Sequence, residues 1–176
     1  MTGPFRLDHT GIAARIPHAG TMCLLDGVVS WDENHIECTG AGCRGEDDPP
    51  HPLAEGGRLP ATAAIEYAAQ AMALHGSLMQ EKQASPGQNR GAGEDQDRDQ
   101  GQAPQPRRGF LAALRSVRLH RRWIGQDFPT LTIRVERFAG DEVQVLYDFH
   151  VRADGIVAEG RAVVVLDAGA RSGAAS

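Results

Sequence analysis

The chain has 176 residues, enough to bury one hydrophobic core but not two. Its 23 acidic and 18 basic residues leave a net charge of −5, which argues against nucleic acid as a partner. Three cysteines, Cys23, Cys38 and Cys43, form no CxxC pair and are too few for a disulfide framework, so a reducing compartment, the cytoplasm, is expected.

Met1 to Arg15 lacks the basic start and unbroken apolar run of a signal peptide. From Cys23 to Thr39, two apolar stretches flank Asp32-Glu33-Asn34, which predicts a hairpin. Gly40 to Gly57 is crowded with Gly, Pro, Asp and Glu and reads as a loop. Between Arg58 and Glu81 the only formally charged residue is Glu66, in a stretch rich in Ala, Leu and Met. These are strong helix formers, and Pro60 suits a first helical turn, where its missing N–H costs nothing.

A surface helix would carry a polar stripe. Here small and apolar residues occupy every face, so the helix is expected to be wrapped by protein. Glu66, Gln70, His75 and Gly76 argue against a membrane span, because each polar group would need a partner in hydrocarbon.

Residues 83–108 are Gln, Gly, Asp, Arg and Pro with little that is apolar, and predict a disordered insertion. Period-2 alternation then predicts strands over Phe110–Trp123, Thr130–Phe138, Val143–Arg152 and Ile156–Leu166, joined by short turns at Ala139-Gly140-Asp141 and Ala153-Asp154-Gly155. Ala168 to Ser176 reads as a loose tail. The expected architecture is α+β, one domain over residues 1–167, in which an antiparallel sheet curls around a long central helix.

The helix sequence Pro60-Ala-Thr-Ala-Ala-Ile-Glu66-Tyr-Ala-Ala-Gln70 resembles the helix motif of hotdog-fold 3-hydroxyacyl-acyl-carrier-protein dehydratases. Ile16-Pro17-His18 and Met22-Cys23-Leu24-Leu25-Asp26 resemble the segment that opens those enzymes. Gly109-Phe110-Leu111-Ala112 through Val117-Arg118-Leu119, and Val157-Ala158-Glu159, look like two of their strands. The chain is most similar to the divergent dehydratases of aryl-polyene and related fatty-acid-like pathways, some of which work as half of a heterodimer. In the loop where the family carries His-Phe-Pro, with its histidine as base, this chain has His51-Pro52-Leu53.

The resemblance implies a hydro-lyase that converts a 3-hydroxyacyl thioester on acyl carrier protein to the trans-2-enoyl thioester, with no cofactor. Such a reaction needs a base for the C2 proton and an acid for the departing C3 hydroxyl. Glu66, in an uncharged helix, is expected to be desolvated and suits the acid. A structural hydrogen bond or a place at a dimer seam is its other reading. Imidazole suits the base, and His18 and His51 compete for that role, with His18 preferred.

Gln70, one turn beyond Glu66, is expected to orient it. Free N–H groups at the helix start, at Ala61 and Thr62, are expected to meet the thioester carbonyl. His75 is expected to be a packed core residue. No metal site is expected, since His9, His35, His120 and His150 show no ligand spacing.

Arg107, Arg108, Arg115, Arg118, Arg121 and Arg122 form a basic run that would attract an acidic carrier protein with its phosphopantetheine-linked acyl chain, or would merely protect an edge strand. A homodimer or heterodimer with another hotdog protein is expected, because pairing would cover a strand edge. Two rival functions stay open: a non-catalytic hotdog subunit of a heterodimeric dehydratase, and an acyl thioesterase.

Overall fold

A computed structural model describes residues 7–43, 51–84, 109–124, 130–141 and 143–166. A short helix α1 (His9–Ala13) opens it, capped by the Asp8 side chain, which accepts from the Gly11 N–H. Sequence reasoning missed this helix, since five residues are too few for an apolar period to be read. The predicted hairpin is present as β1 (Leu25–Trp31) and β2 (His35–Ala41). Its turn is made by Asp32, whose Oδ1 accepts the N–H groups of Asn34 and His35 at 2.7 and 2.9 Å.

Pro60 lies outside the helix. It belongs to the two-residue strand β3 (Leu59–Pro60), and helix α2 runs from Ala63 to Ala84. β3 pairs with β5 (Trp123–Ile124), so the predicted strand Phe110–Trp123 is really β4 (Gly109–Leu119) followed by a break and β5. Tertiary pairing overrides the helical suitability of an early proline here. The meander follows as β6 (Thr130–Gly140), β7 (Gln144–Arg152) and β8 (Ile156–Leu166). Gln83 and Ala84 are the last helical residues; the rest of the predicted insertion, residues 85–108, and the predicted tail lie outside the described residues.

The main sheet has the order β1-β2-β6-β7-β8-β4, antiparallel throughout, and is not closed. Alternate residues face α2: Ile36 and Cys38, then Leu131, Ile133 and Val135, then Val145, Tyr147, Phe149 and Val151. The helix answers with buried residues from Ala63 to Leu78, among them Ala64, Tyr67, Ala68, Ala71 and Leu74. Small residues let the layers approach closely. At Gly40 an added Cβ would sit 2.8 Å from both the Leu24 carbonyl oxygen and the Tyr67 ring, so only glycine fits.

β4 forms one edge of the sheet and differs from the other strands. Its Phe110, Leu111, Leu114 and Leu119 are all exposed, and its pairing to β8 slips twice. At the second slip Ser116 takes a positive φ of 51°, and Val117 packs over Gly160, where a Cβ would come within 3.0 Å of the Val117 Cα. Among the described residues no helix is long and apolar enough to cross a membrane.

Candidate active site

Glu66 lies in the first turn of α2. Against it sits His18, in the segment between α1 and a single 3-10 turn at Gly20–Met22, with His18 Nε2 3.1 Å from Glu66 Oε1. Gln70 Nε2 donates to the same Oε1 at 3.0 Å. Both contacts converge on one oxygen, and Oε2 has no partner among the described residues.

Gln70 explains why the segment lies where it does. It is fully buried, its Nε2 also donates to the Met22 carbonyl at 2.7 Å, and its Oε1 accepts the Leu24 N–H at 2.9 Å. One amide thus staples residues 22–24 to α2 and carries His18 in with them. A buried amide that satisfies its donors and acceptor this fully holds a single geometry.

The pair itself is reachable: the side chains of His18 and Glu66 are 28% and 32% exposed. The full desolvation expected for Glu66 is therefore not found; the helix is wrapped along most of its faces but leaves this one open. His18 Nδ1 points inward, buried and with no partner among the described residues. An unmet buried polar group costs about 1–3 kcal/mol and is commonest where function demands the placement.

His51 is used differently. Its Nδ1 accepts the Leu53 N–H at 3.1 Å, which puts the ring proton on Nε2, 2.7 Å from the Tyr67 hydroxyl. Tyr67 in turn donates a short hydrogen bond to the Ala41 carbonyl. Burial pushes the His51 imidazole below its ordinary range and the Tyr67 phenol upward. With both ring nitrogens engaged, His51 braces the loop against β2 and α2, and the structure does not bring it to Glu66. Tyr67 escaped notice in the sequence because an aromatic on an apolar helix carries no sign of its hydroxyl's partner.

Ala61 also departs from expectation. Its N–H continues the β3–β5 ladder and donates to the Arg122 carbonyl at 3.0 Å, and the residue is buried. The amide is spent because the chain is still extended there. Thr62, exposed and without a partner for its N–H among the described residues, is the nearest amide left at the helix start.

Further along α2, His75 is fully buried, with Nε2 2.8 Å from the Asp32 carbonyl and Nδ1 3.0 Å from the Tyr147 hydroxyl. Burial pushes its imidazole down and the Tyr147 phenol up to about 12. Beside this part of the helix lies an open cavity of about 910 Å³, lined by apolar residues such as Met72, Ala73, Met79 and Val164 and also by Arg15, Glu81, Arg137 and Asp141. Its nearest lining residue on α2 is less than two turns beyond Glu66. No group of three His, Cys, Asp or Glu among the described residues is placed to hold a metal ion.

The sheet order and the long buried helix define a hotdog fold, with a carboxylate–imidazole pair at the helix start. Residues 10–93 match the model of the ApeP-like family, ApeP dehydratase. In the dehydratase heterocomplex ApeI:P from Xenorhabdus doucetiae, a chain 20% identical aligns with a TM-score of 0.67, over 89% of this chain and 90% of that one. A hypothetical thioesterase with coenzyme A from Streptococcus pneumoniae aligns at 0.51, 12% identical, over 80% of this chain and 84% of its own. A thioesterase from Haemophilus influenzae gives 0.51 and 12% identity, over 81% and 78%. No curated protein matches the chain. The chain has the hotdog fold, and its residues 10–93 are similar to the ApeP-like dehydratase family, the resemblance that its helix motif and flanking segments carry.

Proposed function

We propose that this protein dehydrates 3-hydroxyacyl thioesters held on an acyl carrier protein, in aryl-polyene or related fatty-acid-like synthesis, with Glu66 and His18 as its proton-handling pair. The observation that carries the reading is their 3.1 Å contact at the open start of α2, with Gln70 bonded to the same Glu66 oxygen.

The geometry supports a closed proton cycle. With a proton on Glu66 Oε2, the oxygen that Gln70 and His18 leave open, the Nε2 lone pair of neutral His18 takes the C2 proton of the substrate. Glu66 hands its own proton to the C3 hydroxyl, which leaves as water while the C2–C3 double bond forms. Imidazolium and carboxylate then face each other across the contact, and His18 Nε2 returns its proton through water to Glu66 Oε2, which resets both. Gln70 positions Glu66 through Oε1 and leaves Oε2 for the substrate hydroxyl. The Thr62 N–H takes the place expected of Ala61 as donor to the thioester carbonyl, whose charge grows as C2 loses its proton. The acyl chain is directed along α2 to the cavity beside Ala73 and Gly76.

A second reading has its own support. The exposed apolar edge β4 suits pairing with another hotdog chain, and the ApeI:P neighbour is by its description a heterocomplex. In this reading the chain completes a dehydratase whose turnover depends on the partner.

The experiment is dehydration of a 3-hydroxyacyl carrier-protein thioester by the purified chain, alone and with a second hotdog protein added. Enoyl product from the chain alone, lost in folded Glu66→Gln, supports the first reading. Product only after the partner is added, and unaffected by Glu66→Gln, supports the second. Release of free acid in place of enoyl thioester overturns both in favour of a thioesterase.

A further inference from the structure

The corner where β3 meets β5 carries a cluster that the proton-handling pair does not use. The Arg58 guanidinium carbon lies 4.4 Å from the centre of the Trp123 indole ring, and that of Arg122 lies 5.7 Å from the same ring. Backbone pairing builds the corner. The Arg58 N–H and C=O are both bonded to Glu55, Pro60 pairs with Trp123, and the Arg122 carbonyl accepts from the Ala61 N–H. Leu59 and Ile124, fully buried next to the two arginine–tryptophan contacts, anchor it.

Charge use sets these two arginines apart from others nearby. Arg121 is paired with Asp154 at 2.8 Å, and Arg161 with Asp148 at 2.7 Å. Arg58 and Arg122 have no carboxylate partner among the described residues. Both cations lie against one ring, so their fields add at its rim. Stacking on an indole occupies the flat face of a guanidinium and leaves its N–H edge free. That edge matches the oxygens of a phosphate in a bidentate manner.

The corner stands at the same end of α2 as Glu66. From Arg58 to Glu66 the chain covers at most about 20 Å, five extended steps and then less than a helical turn. An extended phosphopantetheine arm, with its thioester at one end and its phosphate at the other, has a comparable reach. We infer that Arg58 and Arg122, stacked against Trp123, bind the 4′-phosphate of the phosphopantetheine group whose thioester is presented to Glu66 and His18. The identity of the anion rests on the carrier-linked substrate proposed above, but the binding itself needs no turnover.

The test is a titration of the full chain carrying Trp31→Phe, so that Trp123 is its only tryptophan, with 4′-phosphopantetheine and with pantetheine, following indole emission and heat. The phosphate is expected to tighten binding at least about tenfold, an advantage of ~1.4 kcal/mol that shrinks as salt rises. Arg58→Gln with Arg122→Gln should abolish the advantage, while Arg115→Gln with Arg118→Gln, on the edge strand, should leave it intact. Equal binding of the two ligands, or an advantage that survives in the Arg58/Arg122 variant, overturns the inference.

Coenzyme A and a phosphopantetheinylated carrier protein deliver the same phosphate, and titrating each against both backgrounds shows which source gains more from the arginine pair. A chain that binds phosphopantetheine through these arginines but turns nothing over retains this site and loses the dehydratase reading. A chain that dehydrates equally well with and without the phosphate does the reverse.

Discussion

His75, on α2, and His18, packed against its start, are held in opposite ways. His75, in the middle of the helix, is sealed on every side, and both its nitrogens have partners, the Tyr147 hydroxyl and the Asp32 carbonyl. His18, at the helix start, is partly open, with one nitrogen against Glu66 and the other buried without a partner among the described residues. A residue whose bonds are all met contributes to stability and has nothing left to offer a substrate. One left half-met has a reactive edge, and the fold bears a cost for it. By this contrast the proposed chemistry belongs to the open end of α2, and its middle is a rivet.

The largest expected effect tests the open end. Glu66→Gln keeps the shape and one acceptor but removes the transferable proton, and kcat for dehydration is expected to fall about 10²–10⁴-fold with the thermal midpoint little changed. A similar loss of midpoint would instead make Glu66 a structural residue. The rivet should behave inversely. His75→Phe leaves the Tyr147 hydroxyl and the Asp32 carbonyl unmet, so urea unfolding should show a loss of about 1–3 kcal/mol, with kcat per folded molecule retained.

Close packing gives an effect of similar size at a site without polar chemistry. Gly40→Ala forces a methyl into the Leu24 carbonyl and the Tyr67 ring, at an expected cost of about 1–3 kcal/mol by the same measurement.

The pH dependence follows from two imidazoles, the buried His75 and the half-buried His51. Burial lowers the folded-state affinity of His75 and His51 for protons, whereas the unfolded chain takes them up at the ordinary value of about 6.5. Their stabilising share is therefore fully present above about pH 6.5 and is lost as the pH falls below it. Stability measured from pH 8 to 5 should decline on the acid side, and less steeply in His75→Phe. An unchanged slope in that variant would refute the assignment. The smallest effect sharpens the comparison most. His18→Leu removes the unpartnered Nδ1, so stability should stay level or rise by up to about 1 kcal/mol while turnover falls.

Much of this was legible from the residues in order. The hairpin around Asp32, the helix around Glu66 and the three meander strands follow from apolar period and turn residues, because those signals are local. His18, Glu66 and Gln70 were also nameable, through the motif they share with hotdog dehydratases, and the structure brings all three together. Ala61 was read as a free donor and is not one, because its amide is claimed by Arg122, far away in sequence. Pro60 was placed in the helix for the same reason: nothing local announces that Trp123 will pair with it. His51 looked as eligible as His18 until Tyr67 and the Leu53 amide were seen to occupy both its nitrogens.

By itself the sequence determined the hairpin, the long helix and the meander strands, that α2 is buried on most faces around one acid, and which family motif it resembles. These depend on period and composition, which each segment holds within itself. Only the tertiary structure decided which histidine faces Glu66, which amides remain unspent, and that Arg58 joins Arg122 on one indole. Those outcomes depend on hydrogen bonds and contacts between residues distant in the chain, and a partner's identity is not written in the residue that awaits it.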